Sequence, residues 1–308
     1  MAKLAALVVA VTALTAVSVA PTGAASRSRA VRVIPISYQA HDGFMRRAYV
    51  MVPADYRVDG APSIPLVISP HGRGVGAREN IKRWGHLPAT GDFAVVNPEG
   101  QGRSLTLFSW GDPGEIRDLA RMPDIVEHAL SWLHIDRHRV YAYGGSMGGQ
   151  ETLLLVARFP HLLAGAAAFD SPTNMAARYR AFAGQPMGHG LQELARAEIG
   201  GTPLTDPRGY AVRSPLDWAR KIAFSGVPLQ IWWSTRDRTV VDGQGESGLL
   251  YRTVKRLNPE APVSEFVGRW AHTTEMKSDA YLPYSLSLFG LMPPRSGPLP
   301  VGDRLAAV

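Results

Sequence analysis

The sequence has 308 residues, of which 45% are apolar, 19% charged and 8% aromatic, so it can form a sizeable core and does not belong to the disordered classes. Its 33 Lys and Arg residues exceed its 26 Asp and Glu residues by seven, but the charges are spread along the chain without a basic block. Nucleic acid is therefore not an expected partner. The absence of cysteine excludes disulfides, zinc–thiolate sites, iron–sulfur clusters and a cysteine nucleophile.

An uncharged run over residues 4–20 follows Lys3 and is built from Leu, Val, Ala, Thr and Ser, and small residues lie at positions 23–26. This pattern is typical of a cleavable secretory signal, so we expect residues 1–25 to be removed and the protein to be secreted. The alternative is a retained membrane anchor, but the run is shorter and less apolar than the about 20 residues that a span requires. No second run of that length follows, and no membrane span is expected after cleavage.

Strand and helix patterns alternate along residues 26–308, which we interpret as a single α/β domain. Residues 35–52 predict an antiparallel hairpin around the turn at 41–43. Short apolar runs predict buried strands at residues 64–69, 93–96, 140–143, 162–169, 228–233 and 263–267. Helical spacing predicts helices at residues 122–133, 151–159, 246–257 and 275–291. Alternation of strand and helix implies a mostly parallel sheet, and the polar stretch at 171–221 predicts a small cap insertion.

The motif that carries chemistry is Gly144-Gly145-Ser146-Met147-Gly148, a G-x-S-x-G pattern between a predicted strand and a predicted helix. A strand that turns abruptly into a helix forces the serine into strained dihedral angles and leaves no room for side chains at 144 and 148. The turn exposes the Ser146 hydroxyl and points the Met147 N–H at a reacting carbonyl oxygen. We therefore predict Ser146 as a nucleophile and Met147 as one oxyanion-hole donor; the alternative is an idle serine in a glycine-rich turn.

A serine nucleophile needs a histidine to take its proton. His272 follows the last predicted strand, and a loop at that position lies on the carboxyl edge of the sheet beside Ser146. His272 is therefore the candidate base, and His189, in the insertion, is the rival.

The histidine needs a carboxylate that orients it. Asp237 follows the predicted strand at 228–233 and is the preferred acid because that strand precedes the one that leads to His272. Asp242, five residues further on, and Asp170, after the strand at 162–169, remain alternatives.

A second oxyanion donor is expected from the loop after the strand at 64–69, where the backbone N–H of Gly72 or Arg73 can approach a ligand. His71 is expected to brace this loop. Trp110 is a candidate wall of the substrate site, with core packing as the alternative. Because the sequence has no metal-ligand spacing, no phosphate-binding loop with a lysine and no dinucleotide fingerprint, neither a metal nor a cofactor is expected.

The sequence resembles the α/β-hydrolase superfamily over nearly all of residues 26–308, and its order of Ser, Asp and His is the order of that superfamily. Residues 135–141 leading into 145–149, and residues 200–203, are similar to the prolyl-oligopeptidase-like branch and to secreted polysaccharide-side-chain and polyester esterases. The resemblance implies the α/β-hydrolase fold, with an antiparallel hairpin before a mostly parallel sheet and helices on both faces. It also implies a triad of Ser146, Asp237 and His272 that hydrolyses an ester or amide through an acyl-enzyme.

Two departures from the oligopeptidases favour esters as substrates. True oligopeptidases carry a large β-propeller before the hydrolase domain, whereas about 40 residues separate residue 26 from Pro65, and Arg73 lies where they use a tyrosine. We therefore expect a secreted serine hydrolase that cleaves a small-molecule or polymer-linked carboxylic ester. The alternatives are a prolyl-oligopeptidase-like peptidase, a cell-wall acyltransferase and a catalytically idle relative.

Overall fold

The computed structural model describes residues 30–57, 62–100, 109–294 and 306–307; the predicted signal peptide at residues 1–25 lies outside them. The strands of the described residues are β1 Val31–Gln39, β2 Met45–Pro53, β3 Ile64–Ile68, β4 Ala94–Pro98, β5 Ile135–Gly145, β6 Gly165–Phe169, β7 Leu229–Ser234, β8 Val263–Gly268 and β9 Ala306–Ala307. The helices are α1 Ala77–Trp84, α2 Leu87–Gly91, α3 Pro113–Ala120, α4 Met122–Ala129, α5 Met147–Arg158, α6 Met175–Phe182, α7 Gly188–Ile199, α8 Pro207–Ala211, α9 Ala219–Ala223, α10 Ser247–Leu257 and α11 Leu282–Ser287.

These strands form one sheet in the order β1-β2-β4-β3-β5-β6-β7-β8-β9. The hairpin β1–β2 pairs antiparallel and joins β4 antiparallel. The strands β4, β3, β5, β6, β7 and β8 pair parallel with one another in that order, and β9 pairs antiparallel with β8. The chain runs from β3 outward to β4 and then returns to the other side of β3 for β5. Strand order therefore reverses between β3 and β5, and the crevice at the carboxyl ends of these two strands is where open α/β sheets bind ligands.

The predicted hairpin and the six predicted internal strands are confirmed, although β5 begins at Ile135, five residues before the predicted start. The predicted helix at 275–291 is wrong in extent because only α11, Leu282–Ser287, is helical there. Pro283 lies in the first turn of α11, the part of a helix that tolerates proline, so a longer helix cannot run through it. The preceding residues instead form a loop in which Ser278 N–H donates to the carbonyl oxygen of Arg83.

Helices cover both faces of the sheet, which explains why the parallel strands are almost continuously apolar. On one face β3, β5, β6 and β7 pack against α3, α4, α5, α9 and α10. On the other face they pack against α1, α2 and α11. Trp233 packs on the face covered by α5 and α10. Trp232 packs on the face covered by α1 and α11, where its ring stacks on Phe266 with centroids 4.2 Å apart. The two tryptophans lie on opposite faces because successive side chains of a strand alternate.

The segment between β6 and β7 is helical, as it contains α6 to α9. Its helices enclose a third apolar cluster, in which Met175, Phe182 and Tyr210 pack with Trp110 and Met147. Because Met147 begins α5 at the carboxyl end of β5, the helical segment lies over the crevice at the edge of the sheet. No helix in the described part of the chain combines the length and apolarity needed to cross a lipid bilayer.

Candidate active site

Ser146 lies at the turn from β5 into α5 with φ 59° and ψ −125°. A residue with a side chain rarely adopts a positive φ, so this backbone is strained and persists only because its surroundings fix it. The Ser146 N–H donates to the carbonyl oxygen of Phe169 at 2.8 Å, and the Ser146 carbonyl oxygen accepts from the Gln150 N–H at 3.0 Å. These bonds hold the serine between the end of β6 and the first turn of α5.

The two motif glycines make this turn possible, as predicted. A Cβ atom at Gly144 would lie 2.1 Å from the carbonyl oxygen of Gly148. A Cβ atom at Gly148 would lie 2.2 Å from the carbonyl oxygen of Pro70. Side chains at both positions are therefore excluded, and the loop after β3 lies directly against the start of α5.

The three expected oxyanion donors lie around Ser146. A Cβ atom at Gly72 would be 3.6 Å from the Ser146 Cβ, so this backbone passes beside the serine. Met147 is the first residue of α5. Within the described chain, the backbone N–H groups of Gly72, Arg73 and Met147 have no hydrogen-bond acceptor. His71 braces the loop, because its two ring nitrogens lie 2.8 and 2.7 Å from backbone carbonyl oxygens.

His272 lies in the loop after β8, and its ring contacts Asp237 in the loop after β7. The Nδ1 atom of His272 is 2.6 Å from Oδ2 of Asp237 and 4.0 Å from the nearest oxygen of Asp170. The other oxygen of Asp237 accepts from the N–H groups of Thr239 at 2.6 Å and Val240 at 3.0 Å. Asp237, and not Asp170, is therefore the carboxylate that hydrogen-bonds to the histidine.

Asp170 instead hydrogen-bonds to the end of β7, which leads to Asp237, and to the loop after β8, which carries His272. One of its oxygens accepts from Ser234 N–H at 3.0 Å, and the other accepts from Trp270 Nε1 at 3.2 Å and Thr273 N–H at 2.7 Å. Burial, and then the charge of Asp237, raise the pKa of Asp170 to about 6. These contacts give Asp170 a positioning role beneath the loop after β8.

Two further charged side chains lie behind the same loop. Arg83 donates from Nη1 to the carbonyl oxygen of Thr273 at 2.6 Å. Glu275 is 1% exposed, and burial followed by the charge of Asp170 raises its pKa well above the usual value. The loop that carries His272 is thus backed by the guanidinium of Arg83 and by two buried acids, Asp170 and Glu275.

Two cavities meet at Ser146 and His272. The smaller, of about 90 Å³, lies between the loop after β3 and the loop after β8 and contacts Asn80 and Met276. The larger, of about 260 Å³, extends under α6 and is lined on one side by Trp110. Trp110 thus lies at the predicted position on the wall of the site.

The rival residues lie elsewhere. His189 is exposed on α7. Asp242 is exposed and accepts from Gly245 N–H at 2.8 Å in its own turn. Neither of the two residues lines the cavities that meet at Ser146.

Two groups of carboxylate and imidazole atoms in the described residues lie within 4.8 Å of one another: Asp170, Asp237 and His272, and, away from the serine, His41, Glu115 and Asp118. In the first group the carboxylate oxygens already accept the N–H groups described above. In the second group the guanidinium of Arg46 lies 3.6 and 3.9 Å from the two carboxylates and places a positive charge beside them. In both groups the protein itself therefore provides the partners of the carboxylates, N–H donors in the first and a guanidinium in the second.

The fold matches solved structures of hydrolases. An acylaminoacyl peptidase from Pyrococcus horikoshii superposes with a TM-score of 0.66 at 15% identity, over 87% of this chain and 43% of that one. An esterase from Pyrococcus furiosus superposes with a TM-score of 0.58 at 16% identity, over 85% of this chain and 91% of that one. This chain has the α/β-hydrolase fold. The fold predicted from the sequence is confirmed.

Among curated proteins, this α/β-hydrolase-fold chain is similar to poly(3-hydroxyalkanoate) depolymerase C from Paucimonas lemoignei, with 26% identity over 216 residues. The match covers 68% of this chain and 49% of the depolymerase, so the chain spans about half the length of that relative. No family model matches the chain.

Sequence reasoning did not single out three of the charged residues near the site: Arg83, Arg178 and Glu275. Arg83 reaches a carbonyl oxygen 190 residues away in the chain. No local spacing identifies Arg83 or Arg178, because they become neighbours of His272 and Ser146 only when the sheet and its helices are assembled. Burial of a charge can be recognised from the sequence only where it interrupts an apolar run, and none of these three residues does so.

Proposed function

We propose that the protein is a secreted serine hydrolase that cleaves carboxylic esters through an acyl-enzyme intermediate. Ser146 is the nucleophile, His272 the general base and then acid, and Asp237 the carboxylate that orients His272. The observation that carries the proposal is that Ser146, on a strained turn, shares its cavities with His272, whose Nδ1 is hydrogen-bonded to Asp237. Secretion rests on the uncharged run at residues 4–20.

In the proposed reaction each step falls to a group of this chain. An ionised Asp237 accepts the Nδ1 proton of His272, which leaves Nε2 free to take the proton of the Ser146 hydroxyl. The serine oxygen attacks the ester carbonyl carbon, and the N–H groups of Met147 and of Gly72 or Arg73 stabilise the oxyanion. The C–O bond to the alcohol breaks as His272 protonates the leaving oxygen. A water molecule, deprotonated by His272, then attacks the acyl-enzyme and releases the acid.

Two considerations favour esters over peptides. An alkoxide leaves more readily than an amine, so an ester needs less help from the site than an amide does. The curated relative is by name a depolymerase of a polyester, whereas the likeness to peptidases is at 15% identity and extends to the fold alone. A prolyl-oligopeptidase-like peptidase and an acyltransferase use the same three side chains and are the alternatives.

The test is turnover of the purified protein on p-nitrophenyl acetate, butyrate and octanoate beside a proline anilide. Ser146→Ala is the active-site variant, and Ser287→Ala, which changes a half-buried serine on α11, is the matched control. We expect ester hydrolysis that Ser146→Ala abolishes and Ser287→Ala retains. Preferential cleavage of the anilide would favour the peptidase. Transfer of the acyl group to an added sugar in place of water would favour the acyltransferase.

A further inference from the structure

The larger cavity beside Ser146 contains a buried cation without a partner. Three arginines of the described chain are less than one-tenth exposed: Arg46 at 7%, Arg178 at 8% and Arg213 at 7%. Arg46 forms ion pairs with Asp42, Glu115 and Asp118, and Arg213 lies 2.8 Å from Asp112. The guanidinium of Arg178 has neither a hydrogen bond nor an ion pair with any described residue. The nitrogens of Arg178 are not fully buried, so they can be reached from the cavity that Arg178 lines and are available to a ligand.

The two carboxylates whose charges act on Arg178 form hydrogen bonds to other groups. Glu246 accepts the N–H groups of Thr173 at 2.7 Å and Asn174 at 2.8 Å. Asp237 is bound to the imidazole of His272. Burial lowers the pKa of Arg178 and the charges of Glu246 and Asp237 offset part of that effect, but neither carboxylate lies within 4.0 Å of the guanidinium. Arg178 is thus held as a cation with its donors unused.

The second arginine of the cavity differs in this respect. Arg73 forms an ion pair with Glu198 at 2.7 Å, donates to Ser109 at 3.0 Å, and lies over the ring of Trp110 at 5.1 Å. Its charge is therefore balanced by the protein. Among the described charged residues that line the cavity, Arg178 is thus the one without an ion-pair partner, and its guanidinium lies 4.9 Å from the ring centre of Phe182.

The size and walls of the cavity define what Arg178 can bind. At about 30 Å³ for each water-sized group, 260 Å³ holds roughly nine such groups. The walls between Arg178 and Ser146 include Met147, Met175 and Phe182, which suit a short aliphatic chain. A single unpaired guanidinium matches a monoanion with two coplanar oxygens better than a phosphate, whose charge is nearer −2.

We propose that Arg178 binds a free carboxylate of the substrate, so that the preferred ester carries a carboxylate a few carbon atoms from the scissile bond. The inference rests on the proposed ester hydrolysis and adds the substrate class. The carboxylate can belong to the acid part, as in a dicarboxylic half-ester, or to the alcohol part, as at the free end of a hydroxy-acid oligomer. The guanidinium would hold it with two parallel N–H···O bonds.

The experiment compares acid substrates with their methyl esters. Mono-p-nitrophenyl adipate and methyl p-nitrophenyl adipate test the acid part, and 6-butyryloxyhexanoate and its methyl ester test the alcohol part. The variants are Arg178→Gln and, as the matched control, Arg180→Gln, which removes the same charge from an exposed position on the same helix. The readout is kcat/KM for each acid substrate divided by kcat/KM for its methyl ester.

We expect this ratio to exceed one for the wild-type protein in at least one pair. We expect Arg178→Gln to lower it by about 10- to 100-fold, the value of a charge-assisted hydrogen bond, and Arg180→Gln to leave it unchanged. A wild-type ratio of one or less in both pairs would overturn the inference while leaving ester hydrolysis established. A preference that survives in Arg178→Gln would overturn it as well.

Binding measurements separate this inference from the proposed catalysis and do not depend on the stability of an Arg178 variant. Calorimetry with Ser146→Ala compares monomethyl adipate with dimethyl adipate. Tighter binding of the acid, by about 10-fold or more, supports the carboxylate site even for a protein that hydrolyses none of the esters. Equal binding of the two compounds would overturn it. Where Arg178→Gln does not fold, Arg178→Lys, which keeps the charge but not the planar fork, provides the comparison.

Discussion

Replacement of Asp237 by asparagine tests the assignment of the acid, because the structure fixes which way the new amide must face. One oxygen of Asp237 accepts the N–H groups of Thr239 and Val240, and the other is 2.6 Å from Nδ1 of His272. In Asp237→Asn the amide oxygen must stay on the two N–H groups, so its NH₂ group faces the ring. Nδ1 then has to accept, and the proton of His272 moves to Nε2, where it prevents uptake of the Ser146 proton.

The size of the effect follows from the two orientations of the amide. Turning the amide over would restore the ring contact but leave two N–H groups without an acceptor, at about 1–3 kcal/mol each. The unproductive tautomer of His272 is therefore the stable one. We expect kcat to fall by about 10⁴-fold, which corresponds to about 5.4 kcal/mol in the activation free energy.

The assay is the rate of p-nitrophenyl butyrate hydrolysis at saturating substrate, with thermal unfolding as the check that the variant is folded. Asp242→Asn, which changes an exposed acid after the same strand, is the matched control and should retain the wild-type rate within about twofold. A kcat for Asp237→Asn within tenfold of the wild type would refute the reasoning. Loss of activity in Asp170→Asn under the same conditions would then transfer the role to that carboxylate.

Three other changes test the surroundings of the site. In Gly148→Ala the new Cβ would lie 2.2 Å from a backbone oxygen, so this change should lower the free energy of unfolding by about 1–3 kcal/mol. Gly190→Ala, whose Cβ would have no atom within 4 Å, should not lower it. Denaturant unfolding checks both variants. Asp170 has a pKa raised to about 6, so it makes the wild-type protein less stable as the pH rises from 4 to 6. Asp170→Asn should reduce the slope of the free energy of unfolding against pH by at most about 1.4 kcal/mol per pH unit. A slope identical to wild type would refute this. Arg83→Met should lower kcat about 10-fold by loosening the loop of His272, and an unchanged kcat would contradict it.

Local sequence patterns predicted the parts of this protein whose geometry is set locally. The strand-to-helix turn at Ser146 follows from the spacing of Gly144 and Gly148, because each glycine avoids a backbone atom within 2.2 Å of where a Cβ would lie. The strands followed from apolar runs that a doubly covered sheet requires. Where a proline broke the pattern, at Pro283, helical spacing alone gave a helix that was too long.

Long-range contacts set the parts that local patterns could not give. Asp170 accepts a hydrogen bond from Thr273, 103 residues later in the chain, and this contact distinguishes its position from that of Asp237. From the sequence, the choice of Asp237 over Asp170 rested on strand order. The distances to Nδ1 of His272, 2.6 Å from Asp237 and 4.0 Å from Asp170, give that choice a geometric basis. Arg178 lies in a helix with no motif, and only its burial without a partner draws attention to it.

The central claim is that Ser146 is the nucleophile of a serine hydrolase, and covalent labelling tests it most directly. The protein is treated with a p-nitrophenyl alkylphosphonate, which transfers its phosphonyl group to an activated serine, and intact mass and peptide mapping follow. The account predicts a single adduct on Ser146, a loss of esterase activity in proportion to labelling, and no adduct in Ser146→Ala or His272→Ala. An adduct on another residue, or equal labelling of the Ser146→Ala variant, would contradict it.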